Sequence, residues 1–195
     1  MHGLINRAIQ SFVCQTYGSP RWKKITETAN VGTSDFEAML VYDDQQTVDL
    51  MATLVDELDR PQQDVLEDIG TFLVSHPQNE PLRRLLRFGG DNYVDFLHSL
   101  DDLPDRARLA VSDLQLPLLE LDEESPSAYR LVCQPGLPGF GYVMMGILRA
   151  MADDYGALVF LEHEGLRGET EQVSITLIET AFTAGREFDL GARAE

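Results

Sequence analysis

The chain has 195 residues, 33 of them acidic and 15 basic, for a formal charge of −18. That length accommodates one domain with a sizeable core, and a hydrophobic share of 44% argues against disorder. No basic footprint of the kind that sequence-independent nucleic-acid binding needs is visible, and attachment to an anionic membrane surface is disfavoured for the same reason.

No apolar run reaches the length of a membrane span, and Met1-His2-Gly3 lacks the charged and apolar regions of a signal peptide. The two cysteines, Cys14 and Cys133, make no disulfide framework. These features read as a cytoplasmic protein. The histidines His2, His76, His98 and His163 are scattered without metal-ligand spacing, and the acidity reads as a well-solvated surface, with an acidic recognition face as the alternative.

Leu4, Ile5, Ala8, Ile9, Phe12 and Val13 form an apolar stripe at helical period, closed by Tyr17-Gly18. Ser19-Pro20 predicts the N-cap and first residue of a second helix running through Trp22 and Ile25. After Gly32, Phe36 to Tyr42 leads to the helix entry Asp43-Asp44. Helices are expected over Thr47–Leu58 and Gln62–Val74, the second opened by Pro61. His76-Pro77 breaks the pattern, Leu82–Leu86 reads as a short basic helix, and Gly89-Gly90 punctuates.

Asp91 is then a good N-cap, with Val94, Leu97, Leu100 and Leu103 at helical spacing on one face and Pro104 as the terminator of that helix. Beyond Leu109 the period changes. Leu114–Leu121 and Ala128–Cys133 have strand character, Gly139–Asp154 is an apolar helix closed by Tyr155-Gly156, and Ala157–Glu162 and Val173–Glu179 are the clearest strands. The expected class is α+β: a helical N-terminal part followed by a small antiparallel sheet with one packed helix, in a single domain over residues 1–183. Residues 184–195 read as a polar, frayed tail.

Several blocks, in order, resemble the heme-nitric oxide/oxygen binding (H-NOX, or HNOB) family, the sensor domain of soluble guanylate cyclase included. They are Met1-His2-Gly3-Leu4-Ile5-Asn6-x-Ala8-Ile9, Tyr17-Gly18 with Trp22, Tyr42-Asp43-Asp44-x-x-Thr47-x-x-Leu50 and Leu66-x-x-Ile69-Gly70 with Phe72. Phe96-Leu97-x-x-Leu100-Asp101-x-Leu103 is similar to the family's proximal helix, Pro117 to its heme-contacting proline, and Gly139, Gly146 and Gly156 to its later helix. The resemblance covers most of the chain and implies the H-NOX fold. It also implies heme as cofactor and output through a protein partner of the histidine-kinase or nucleotide-cyclase type.

Two positions depart from the family pattern. The residue after Leu103, where the family has the histidine that ligates the heme iron, is Pro104. Its ring nitrogen belongs to an amide and has no lone pair to give. The family's Tyr-x-Ser-x-Arg motif, which clamps the heme propionates, falls on Cys133, Pro135 and Leu137. In an alignment three residues earlier it falls on Arg130, Val132 and Gln134. Neither alignment preserves the motif, and no arginine stands at its final position. Heme is therefore a doubtful cofactor, and a hydrophobic ligand or none is the alternative.

The expected pocket residues are His2, Leu4, Ile5, Ile9, Leu100, Leu103, Pro117 and Met144. His2 and Cys133 are the candidate replacement ligands for iron, set against the plainer readings of a polar N-terminal residue and a small apolar core residue. His98 reads as a surface histidine, and Glu162-His163-Glu164 as a solvent-exposed strand end whose neighbours alternate faces. No catalytic pattern and no metal set is visible, so an enzyme is not expected.

The function expected is a stand-alone sensory or regulatory domain signalling to a separate protein. A heme-dependent nitric oxide or oxygen sensor with a non-standard axial ligand, or a ligand-free interaction module, are the alternatives.

Overall fold

The computed structural model describes residues 1–188. Helix α1 (Gly3–Tyr17) is capped by His2, whose Nδ1 accepts the Leu4 amide at 3.1 Å. Gly3 has no room for a side chain, because a Cβ there would lie 2.1 Å from the Glu37 carbonyl oxygen. Helix α2 (Ser19–Thr28) starts one residue earlier than its sequence suggests: Gly18 is the N-cap, and Ser19 and Pro20 already lie in the first turn. Asp43 caps α3 (Asp44–Leu58) through the Gln45 amide, and α4 (Gln62–Ser75) follows Pro61. Ile9, Phe12, Trp22, Phe36, Leu50, Leu54 and Ile69 bury together as the first of two apolar cores.

A 3-10 turn (Pro77–Asn79) and α5 (Glu80–Arg87) lead to the stretch read as one helix ending at Pro104. The structure corrects that reading. Asn92, not Asp91, is the N-cap, its Oδ1 accepting the Asp95 amide at 3.0 Å, and α6 runs only from Tyr93 to His98. The chain turns through Ser99–Asp102, and α7 (Leu103–Ala110) begins with Pro104 in its first turn. Proline suits that position because the first-turn amide has no intrahelical acceptor to lose. Pro104 opens a helix instead of ending one.

Strand β1 (Leu119–Ser125) begins five residues later than the run of leucines suggests. With β2 (Ala128–Cys133), β3 (Leu158–Arg167) and β4 (Thr170–Glu179) it forms a four-stranded sheet in the order β1-β2-β4-β3, every neighbouring pair antiparallel. Helix α8 (Phe140–Tyr155), entered and left through glycines at positive φ, packs on one face. Tyr129, Leu131 and Cys133 of β2 and Val173, Ile175 and Leu177 of β4 alternate inward to meet Met144, Leu148 and Met151, giving the second core.

The two cores meet where α4 crosses α8. A Cβ on Gly70 would lie 2.0 Å from the Val143 carbonyl oxygen, and one on Gly146 would lie 2.0 Å from that of Glu67. The helices therefore touch backbone to backbone. At the far end of α8, Asp154 is buried among arginines, with Arg83 at 2.8 Å and Arg87 at 3.5 Å. The segment after β4 is held there, in contrast to a frayed tail: the Arg186 amide donates to the Asp154 carbonyl, and Arg83 to that of Glu187. Residues 189–195 of the expected tail lie outside the described residues.

Candidate functional site

The residues expected to form one pocket are shared between the two cores. Ile9 is buried and Ile5 half-buried in the helical core, with Leu4 half-buried beside them in the chain. Leu100, Leu103, Cys133 and Met144 belong to the sheet core. Leu100 and Met144 have 0% of their surface accessible. A water-sized void beside them would register as accessible surface, so their neighbours are protein atoms.

Pro104 is buried at the start of α7. Its helix is fastened by Arg106, whose guanidinium donates to the carbonyls of Leu85 (3.0 Å) and Ser99 (2.9 Å) and to the Ser99 hydroxyl (3.1 Å). Burial pulls this guanidinium below the usual arginine range, with Asp102 and Tyr155 opposing.

Neither replacement ligand fits iron better. The Nδ1 lone pair of His2 is spent on capping α1, and its Nε2 faces Asp113 at 3.3 Å. His2 is thus a buried structural cap, beyond the polar terminal residue its sequence suggests. The Cys133 thiol is pushed up to about 12 by burial and then by the Glu171 charge, so it stays protonated at neutral pH and offers no thiolate.

The propionate end is equally unsuited. Pro135 is exposed and Leu137 half-buried, and neither presents a donor side chain. In the alternative alignment Arg130 faces outward on β2, engaged by Glu124 and Glu164, and Gln134 donates to Glu120. Just beyond these positions the chain already supplies a carboxylate. Glu171, the register partner of Cys133, accepts the Gly139 amide at 2.6 Å and the Gly141 amide at 2.9 Å, capping α8. His163 completes this cluster: its Nδ1 accepts the Gly165 amide, so Nε2 carries the proton and donates to Glu171 at 3.1 Å. The His163 ring stacks on Tyr142 with centroids 3.9 Å apart.

The exposed strand end expected at Glu162-His163-Glu164 is corrected accordingly: the two glutamates face out, while the His163 side chain is 8% exposed. Sequence missed this cluster because its members sit on β3, β4 and α8, and only the register joins them. A bound carboxylate here would meet a second one.

Pro117 is buried, and a Cβ built on Gly136 would lie 3.6 Å from its ring. His98 lies at the surface as expected, 3.5 Å from Glu123. A surface depression of about 460 Å³ lies at Gly89–Asp91, Asp95, His98 and Ser99, and none of the expected pocket residues lines it. Among the described residues, no group of three or more His, Cys, Asp or Glu side chains converges on a metal position, and no helix is long and apolar enough to cross a membrane. The residues present fit neither the iron nor the carboxylate end of a heme.

The fold itself matches solved H-NOX proteins. The Fe(II) unliganded H-NOX protein from K. algicida aligns with a TM-score of 0.79 at 15% identity, covering 92% of this chain and 97% of that one. The Fe(II)NO form from S. oneidensis aligns with a TM-score of 0.75 at 16% identity, covering 91% and 99%. The architecture is the H-NOX fold. A family model described as Haem-NO-binding matches residues 2–163, and the chain belongs to that family.

Similar curated proteins are soluble guanylate cyclase 89Db of Drosophila melanogaster, 20% identical over 81% of this chain, and soluble guanylate cyclase gcy-31 of Caenorhabditis elegans, 22% identical over 79%. This chain covers 24% and 22% of their lengths.

Proposed function

We propose that this chain is a sensory or regulatory domain whose interior is not fitted to ordinary heme, and that it acts on a separate signalling protein of the histidine-kinase or nucleotide-cyclase type in a cytoplasmic setting. Pro104 carries the reading. It takes the place of the family's ligand, and as the buried first turn of α7 it serves the fold in that role. The Glu171 carboxylate supports it from the other end of the pocket region. Among the described residues no set of side chains is arranged for catalysis, and the domain itself is read as non-enzymatic.

The test is titration of the purified chain with hemin, followed by absorption with and without nitric oxide. A broad, non-stoichiometric Soret band that ignores nitric oxide is expected. A sharp stoichiometric band that shifts with nitric oxide and vanishes in His2→Ala or Cys133→Ala would establish the heme-sensor alternative instead. Pro104→His alone is expected not to restore tight binding, because the carboxylate end remains unsuited.

A second reading, a ligand-free interaction module, is favoured by one observation: the complete burial of Leu100 and Met144 by the chain's own atoms. A bound hydrophobic ligand would need that core to open.

A further inference from the structure

One face of the sheet is covered by α8, and among the described residues no element covers the other. The register maps that open face. Asp122, Arg130, Ser174 and Glu162 form one row across the four strands, and Ala128, Thr176 and Phe160 form the next. Beyond them Ile178 and Leu158 end the face, opposite the irregularity in β3. Phe160 is 58% exposed and Ile178 59%, so one end of the face is an apolar patch that no other described residue covers.

The other end is acidic. Glu120 lies in the row with Val132 and Gln172, and Glu162 and Glu164 project from β3. Arg130 and Arg167 are the basic residues in their midst, Arg130 already engaged by Glu124 and Glu164 and Arg167 by Glu164, which leaves the acidic side chains in excess.

We propose that this face is the docking surface for a partner helix that is apolar at one end and basic along the rest. The assignment rests on the reading that the domain acts through another protein. Charge complementarity selects the occupant. A second copy would bring two acidic faces together, and like charges facing each other repel. A nucleic acid or an anionic membrane would be repelled in the same way.

Geometry selects a helix. From Phe160 to Glu164 the strand advances about 13 Å, which a helix covers in about nine residues. A segment of two to three turns therefore reaches from the apolar end to the glutamates. Strand addition is less suited, because β3 carries register irregularities at both Leu158/Val159 and His163/Gly165.

The probe is a dye-labelled 18-residue helical peptide with a leucine pair at one end and lysines along the same face, read by fluorescence anisotropy against the full chain. Phe160→Ser with Ile178→Ser, which removes the apolar end without changing charge, and separately Glu162→Lys with Glu164→Lys, are each expected to weaken binding at least tenfold. Asp49→Lys with Asp56→Lys on α3 makes the same change in net charge away from the face, and should weaken it less than threefold. Should the serine pair unfold the domain, Phe160→Thr with Ile178→Thr serves in its place, with a smaller loss in the same direction.

Equal weakening by the α3 and β3 reversals would reduce the effect to general attraction and overturn the assignment, as would absence of binding. A physiological partner that still binds both face variants would overturn the face while leaving the signalling reading intact. Hemin titration tests that reading's heme clause independently.

Discussion

Leu100 tests whether the interior is filled. Its side chain has no accessible surface and belongs to the sheet core beside the expected pocket. Leu100→Ala removes three carbons, roughly 2.4 kcal/mol at about 0.8 kcal/mol per buried methylene. A residual cavity of about 50 Å³ adds roughly 1.2 kcal/mol. The expected loss is therefore about 3.5 kcal/mol, or a fall in Tm of about 7–14 °C for a chain of this size.

The reverse change sharpens the test. Leu100→Phe must be forced into occupied space and should cost about 1–3 kcal/mol. Urea unfolding followed by circular dichroism and by Trp22 fluorescence measures both variants, and an unchanged m-value shows that the native state carries the effect. A vacant pocket predicts the opposite pattern: Leu100→Ala would cost under about 1.5 kcal/mol, and Leu100→Phe would be neutral or stabilising as the ring entered free space. That pattern would refute a filled core.

Glu171→Ala leaves the Gly139 and Gly141 amides without their acceptor and should cost about 1–3 kcal/mol by thermal denaturation, with Glu171→Gln recovering part of the loss. Asp154→Ala strands Arg83 and Arg87 without their shared carboxylate and should cost about 3–5 kcal/mol, with faster proteolysis of the segment around Arg186. The Cys133 thiol has its folded pKa raised from 9.0 to about 12, so the folded state holds a proton that the unfolded state gives up. Its stabilising contribution is fully present below pH 9 and is lost as pH rises from 9 towards 12, by on the order of 1 kcal/mol per pH unit. Stability measured between pH 8 and 10, where Tyr155 contributes little, should fall less steeply in Cys133→Ala.

What sequence could supply was governed by locality. The alternation of Val173, Ile175 and Leu177 and the glycines bracketing α8 mark elements whose geometry lies within a few residues, and both appear in the structure. The division between α6 and α7 was hidden because Leu97, Leu100 and Leu103 keep a helical spacing even as the chain turns at Ser99–Asp102. All three side chains are buried, so the apolar period survived although the helix did not. Pro104 was legible as a non-ligand from its chemistry alone; its service as a helix opener depended on where α6 ends. The His163–Glu171 pair needed the β3–β4 register, and residues eight apart across a hairpin carry no periodic signal.

Arg106 bears on how a signal could leave the domain. Its guanidinium spans α5, the end of α6 and α7, with three hydrogen bonds to Leu85 and Ser99. Charge-assisted bonds of this kind contribute roughly 1.5–3 kcal/mol each, so displacing α7 as a unit must overcome several kcal/mol before any new contact forms. A transition of that size needs a ligand that binds the displaced state far more tightly than the resting one, and the packed surroundings of Leu100 and Met144 favour no such ligand. Recognition at the surface needs no such movement.

Arg106→Met separates the two routes, keeping the side chain's length while deleting its donors. Amide hydrogen exchange in α7 should accelerate by tenfold or more, while binding of the basic helical peptide at the outer sheet face stays within threefold of the parent. If loosening α7 abolished that binding with the sheet still protected from exchange, output would run through the interior after all, and the filled core would be a gate.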